Sequence, residues 1–333
     1  LGELEQKMKK VKIQFNVGGG VFSHLLILLN NIAVYIRDNV ISKDDIIYVE
    51  GRRPTEQHPL FGPLPFNFFD RIFEQSIDNE YTTLNNIVGH PVLLEDLNRD
   101  IILFREASKL LKFNPNIVKI VEKFYEDNIR TPNILGVHIR MTDMNTIHPW
   151  LGLVTVEDYC REIDMVLSKH KIEKIYLATD NREDARKIAA RYGSIVVWRD
   201  SKYIMENSGD DHQIQVTEKK FYTDPQFFDD CIIDSLILMK SKFLIGRIST
   251  LNYFVQSCHI SNIEKYYHIT GMYPSLSGHS TSSLQMDTIL WFGPWKDHTI
   301  RDIIGKDDQY LIHHIKRHFV IPQELNNYIN TLQ

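Results

Sequence analysis

The chain has 333 residues, 43% of them hydrophobic and 24% charged, with a formal net charge of -5 and a pI near 6.3. This describes a globular protein of about two domains, and the acidic balance excludes the broad basic surface of a duplex nucleic-acid binder. No run of about 18 apolar residues occurs, so no integral membrane segment is expected; Cys160, Cys231 and Cys258, with no C-x-x-C spacing, read as reduced core thiols of a cytoplasmic protein.

Val11 to Val17 reads as a strand, and Gly18, Gly19 and Gly20 lead straight into an apolar helical stretch ending near Asp38. Strand, glycine turn and helix open a dinucleotide- or phosphate-binding unit. The fingerprint is incomplete: Ser23 stands where it requires Gly or Ala, and no Gly-Lys-Ser/Thr follows. A tight connection needing positive φ accounts for the glycines equally well. Ile46 to Val49 reads as a second strand and Gly51-Arg52-Arg53-Pro54 as an exposed turn with two cations. Residues 54–81, rich in Pro and Phe, read as a loop packed by aromatics over a core. Helical periodicity then runs from Ile101 to Glu126, and Asn128 to Pro132 reads as the linker between domains.

Beyond the linker, strands and helices alternate. The pattern predicts strands at 133–140, 174–179, 194–198 and 242–248, and helices near 155–170, 182–191, 227–240 and 250–257. Thr155 and Asp158 form a capping box for the first of these helices. Repeated βα units imply a parallel sheet covered by helices on both faces. Two polar segments, Glu206 to Gln226 and Met272 to Ser283, read as long surface loops.

Four predicted strand ends carry polar residues of the kinds a sugar-nucleotide site needs: Gly18 to Gly20, His138 with Arg140 and Asp143, Asp180, and Ser249 with Thr250. In an open α/β sheet ligands are held at such ends. Arg140 there calls for an anion, foremost a phosphate. His138 shares its face of the strand, which favours a neutral, hydrogen-bonding imidazole. Ser249 and Thr250 stand where backbone N–H groups meet an anion, although a helix cap explains them too. Asp180 also reads as a cap or as a site acid. Asp234, set among apolar residues of a helix, needs a partner, either a nucleotide base or ribose hydroxyl or a nearby Lys or Arg. No Asp-x-Asp, H-E-x-x-H or EF-hand loop occurs, so no metal or other cofactor is expected.

These segments resemble the fucosyltransferase superfamily of the α1,6 type, which includes core and nodulation fucosyltransferases and to which protein O-fucosyltransferases are more distantly similar. GVHIRMTD, beginning at Gly136, is similar to that family's G-V-H-x-R-R-T-D, and YLATDN, beginning at Tyr176, to its Y-L-A-T-D-D. From Asp234 to Thr250 the family's spacing between an Asp and a Ser-Ser pair is kept, and Gly18 to Gly20 resemble its N-terminal glycine loop. The resemblance covers residues 133–258 well and the first forty loosely.

It implies an α/β, GT-B-like fold of two Rossmann-like domains facing a cleft. Residues 1–130 would form the acceptor-side domain and 131–333 the donor-binding domain, whose last ~50 residues pack back on the first. It implies an inverting, metal-independent transfer of L-fucose from GDP-fucose to a glycan or oligosaccharide acceptor. His138 would contact the donor, Arg140 the β-phosphate and Asp234 the guanine side, while Ser249 and Thr250 flank the diphosphate. Asp143 and Asp180 would shape the site, and Gly18, Gly19 and Gly20 would let the backbone approach the donor sugar. The chain departs from the family at Met141, in place of a second Arg, at Met144, in place of a Lys, and at His148, where an acceptor-binding acid is expected. Arg140, Asp143 and His148 are thus the catalytic candidates. A transferase using another nucleotide sugar, or a non-catalytic nucleotide- or glycan-binding relative, remains an alternative.

Overall fold

The computed structural model describes residues 9–16, 21–52, 67, 69–75, 81–85, 102–140, 154–201, 204, 224–247, 249–269, 286, 299–308, 311 and 323–332. Gly18, Gly19, Gly20, Asp143 and His148 lie outside these residues, as do residues 272–283 and all of 206–226 before Asp224. Two compact units are present. One comprises Leu1–Arg140 with Tyr159–His268, and the other Met141–Asp158 with Ile269–Gln333.

The larger unit holds two parallel sheets. In the first, β1 (Lys10–Asn16) lies between β2 (Ile46–Arg52) and β3 (Thr82–Asn85). Helix α1 (Val21–Arg37) connects β1 to β2, and its apolar sequence is buried along most of its length. The expected turn at Gly51-Arg52 is instead the end of β2, because parallel pairing continues through Phe15 with Gly51 and Asn16 with Arg52. Asp45 fastens the connection before β2. Its carboxylate accepts from the Lys9 and Ser42 backbone N–H groups at 2.9 and 2.8 Å.

A short helix, α2 (Phe69–Ile72), opens an aromatic cluster in which Phe69 and Phe73 stack at 6.3 Å and Phe73 meets Phe113 at 5.5 Å. The single helix expected over 101–126 is two. Residues 102–108 are helical, the chain then leaves the helix to bridge Phe113 with Phe73, and α3 starts afresh at Pro115–Asn128. Asn114 caps α3 by accepting from the Asn116 N–H at 2.9 Å, and Pro115 occupies the first turn, where its missing N–H costs nothing.

The second sheet follows the predicted alternation closely. Its elements are β4 (Ile134–Ile139), α4 (Val156–Lys169), β5 (Lys174–Thr179), α5 (Arg182–Tyr192), β6 (Val196–Trp198), α6 (Pro225–Met239), β7 (Phe243–Gly246), α7 (Thr250–Ser257) and an unforeseen edge strand, β8 (Lys265–His268). The strand order is β6-β5-β4-β7-β8, with every pair parallel. β4 is central and buried at all six positions, as its apolar run requires. From β4 the chain moves outward to β5 and β6, then returns to place β7 on the other side of β4. The crevice at the carboxyl ends of β4 and β7 is therefore the topological switch point of the sheet.

Both sheets share one hydrophobic core. Helix α6 packs on β5 and also on α2 and α3, and α1 packs on α7 with Phe22 and Phe254 at 5.8 Å between ring centres. Arg71 of α2 reinforces the contact through two bonds to the Asp229 carboxylate, one of them 2.9 Å from Nε to Oδ1. In the smaller unit the predicted capping box is present, with Thr155 N–H on Asp158 Oδ2 at 2.8 Å and Asp158 N–H on Thr155 Oγ1 at 3.3 Å. Ile300 and Ile303 of α8 (Ile300–Ile303) and Leu325 and Ile329 of α9 (Gln323–Thr331) are buried there.

Candidate functional site

The carboxyl ends of β4, β5 and β7 bring several of the expected residues together. His138 is paired in register with Ala178 of β5 on one side and Gly246 of β7 on the other. Arg140 and Asp180 are each the first residue beyond the paired Ile139 and Thr179, so a cation and an acid leave neighbouring strands at the same level. His138 is buried, and its Nδ1 lies 3.5 Å from the Ser249 hydroxyl. Ser249 has extended backbone angles and caps α7 by accepting from the Asn252 N–H at 3.2 Å, so Thr250 is the first residue of that helix. The N–H groups of a first turn have no partner within their helix and favour negative charge.

The face on which Arg140 lies follows from the glycine two turns of the pleat before it. A Cβ on Gly136 would stand 2.8 Å from Ser241 Oγ and 2.9 Å from Leu238 Cδ2, so Gly136, and with it His138, faces α6. The half-buried Cys231 of α6 agrees: burial pushes its thiol up, and the Asp234 and Asp230 charges add to this while the Arg140 charge opposes it. Arg140 thus belongs to the α6 side of the sheet.

At the end of β7 the backbone is pinned. The Arg247 carbonyl accepts from Asn252 Nδ2 at 2.7 Å and from the Tyr266 hydroxyl at 2.7 Å, and that hydroxyl also reaches the Gly246 carbonyl at 3.0 Å. A side chain at position 246 would collide with Asn252 Nδ2. Arg247 itself is buried, a second strand-end cation that was not weighed in the sequence. Its charge bears on the Tyr159 hydroxyl, which burial drives well above the usual phenol range.

Asp180 does not cap α5. Asn181 does, accepting from the Glu183 and Asp184 N–H groups at 2.8 and 3.2 Å, because the helix begins one residue later than Asp180 requires. Asp234 has the second of its two expected kinds of partner. Its Oδ1 accepts from the Tyr176 hydroxyl at 2.7 Å and from Arg199 Nη1 at 2.9 Å. Arg199 Nη2 bonds Asp230 Oδ1 at 2.9 Å, and Asp230 Oδ2 accepts from the Ser201 hydroxyl. Burial raises the Asp234 carboxyl above its ordinary value, against the pull of Arg199 and Tyr176.

Comparison with protein-family profiles and with curated proteins finds no match. Among solved structures the chain is similar to a NodZ α-1,6-fucosyltransferase soaked with GDP-fucose. The likeness has 13% identity and a TM-score of 0.47, and covers 79% of this chain and 100% of that one. NodZ from Bradyrhizobium is matched at 12% identity and 0.47, over 74% of this chain and 92% of the other. POFUT1 in complex with GDP-fucose is matched at 10% identity and 0.45, over 79% and 99%. These are likenesses of fold at low identity.

Among the described residues, no group of three or more His, Cys, Asp and Glu side chains is arranged to hold a metal ion. Nor is any described helix long and apolar enough to cross a membrane. Of the expected site residues, His138, Arg140, Asp180, Ser249 and Thr250 stand at adjacent strand ends, and Asp234 lies on α6 within a polar network. Tyr176, Arg199 and Arg247 were missed. Each of the two arginines directly follows a strand, at Trp198 and at Gly246, and that position was the available signal.

Proposed function

We propose that the chain is a glycosyltransferase that moves L-fucose from GDP-fucose to a glycan or oligosaccharide acceptor, with inversion, without a metal ion and in the cytoplasm. The observation that carries this reading is the grouping of His138, Arg140, Asp180 and Ser249 around the switch point, where α/β sheets hold nucleotides. Residues 131–333 would form the donor domain and residues 1–130 the acceptor side, with Gly18, Gly19 and Gly20 near the sugar.

In the reaction an acceptor hydroxyl attacks the anomeric carbon as the bond to the β-phosphate oxygen breaks, through an oxocarbenium-like transition state. Arg140 and the first-turn N–H groups of α7 take up the charge that develops on the leaving GDP. The acceptor proton passes to a base, Asp143 or His148, of which His148 has the better matched intrinsic pKa.

Calorimetry with GDP, UDP and GDP-fucose tests the donor: GDP should bind more tightly than UDP, and the reverse order overturns the reading. Incubation with GDP-fucose and a glycan panel tests the reaction. Binding without turnover on any acceptor would favour the non-catalytic alternative suggested by Met141, Met144 and His148.

A further inference from the structure

The larger unit has a second concave surface, at the end of its five-stranded sheet away from the switch point. Helix α6 stops at Met239 just before β7, and Asn262 stands just before β8. Beside these amino ends lies a cleft of about 420 Å³, bounded by residues 109–113, α3, the last turn of α6 and residues 259–262. Its floor is apolar. Leu111, Val121, Leu236 and Met239 are buried there, while Val118 and Ile260 keep 37% and 43% of their surface open. Aliphatic side chains left open along a concave surface mark a place where more apolar area can be covered. The walls are held in place. The His259 N–H donates to Ser108 Oγ and the Asn262 N–H to the Met239 carbonyl, each at 2.7 Å. Lys240 Nζ lies 2.8 Å from Glu122 Oε1 and 5.2 Å from the centre of the Tyr125 ring.

The charge around this floor has one sign in excess. On a chain of net charge -5, the described residues of the cleft include Lys109, Lys112 and Lys240 against one carboxylate, Glu122. Glu122 holds Lys240 and Glu106 holds Lys109, whereas Lys112 is exposed and forms no ion pair among the described residues. His259 adds no charge at neutral pH, because burial and then the Lys109 ammonium hold its imidazole below the ordinary value. A bare anion would leave the floor in water, a plain hydrocarbon would gain nothing from Lys112, and an amphipathic cation would meet three lysines.

We propose that this cleft binds a small amphipathic anion, an alkyl or aryl body carrying one carboxylate or phosphate: the body covers Leu236, Val118 and Ile260, and the head group meets Lys112. The site is separate from His138 and Arg140, and the inference does not rest on the GDP-sugar reading. The test is calorimetric titration of the full chain with decanoate, octanoate, protonated decylamine and inorganic phosphate, the alkyl probes kept below their micellar concentrations. Decanoate should bind roughly tenfold more tightly than octanoate, since two further methylenes are covered. It should exceed decylamine by about tenfold or more, and phosphate alone should give no binding heat. Two exposed positions locate the site. Lys112→Gln should weaken decanoate about three- to fivefold, and Val118→Glu, which sets an acid at the mouth, should weaken it further, both with unchanged melting curves. Absence of decanoate binding, equal binding of decanoate and decylamine, or decanoate binding that neither substitution alters overturns the inference. So does protein that ignores monomeric decanoate and sediments only with phosphatidylglycerol vesicles, which would assign the patch to a membrane surface.

Discussion

Arg140 and Gly136 belong to one short motif and make different demands on it. In the proposed reaction Arg140 balances a diphosphate, so Arg140→Ala should weaken GDP binding by about 3 kcal/mol, more than a hundredfold. Unchanged binding in a titration would remove this residue from the site. Gly136 has no room for a side chain against Ser241 and Leu238. Gly136→Ala should therefore cost about 1–3 kcal/mol of stability through overpacking, read as a lower denaturation midpoint. The place of the Arg was legible, because it directly follows a buried apolar strand. The need for the Gly was not, since it arises from a serine more than a hundred positions away. Asp234 shows the same limit. Its need for a partner could be read from its apolar neighbours, but its partner Arg199 approaches only when the chain crosses back from β6 to α6.

Asp45 shows how one side chain can fasten the start of an element. It holds the Lys9 N–H just before β1 and the Ser42 N–H in the connection to β2. Burial works against its ionisation, but these bonds win and its carboxyl titrates below the ordinary 3.8. The unfolded chain therefore takes up the proton first on acidification. The stabilisation is complete above about pH 5 and is lost as pH falls through 3.8 and then through the lower folded value. Asp45→Ala should cost about 1–2 kcal/mol at pH 7, and the gap to the wild-type protein should narrow between pH 5 and pH 3 in urea titrations. A gap independent of pH would assign the effect to packing. The elements themselves were well marked after residue 130, where apolar runs alternate with 3.6-residue periodicity. Between 101 and 128 the periodicity hid a break, although Asn114-Pro115 is a helix start in its own right. The strands β3 and β8 went unseen because four-residue runs such as TTLN and KYYH carry too little pattern.

The joining of the two sheets into one core was outside the reach of local pattern altogether. Arg71 and Asp229, partners from α2 and α6, should show a coupling of about 1 kcal/mol in a double-mutant cycle, since the pair is bidentate but Arg71 is partly solvated. Additive effects would mean that packing alone joins these helices. The contact of α1 with α7 bears on how the protein is made. Helix α1 leaves the ribosome with most of its side chains apolar, yet the helix that covers part of it is encoded roughly 200 residues later, a delay of about 10–40 s at ordinary rates of synthesis. For that interval the nascent chain carries a greasy helix whose α7-facing side is uncovered, so slowing translation or depleting holding chaperones should lower the soluble yield more than the stability of the finished protein would suggest.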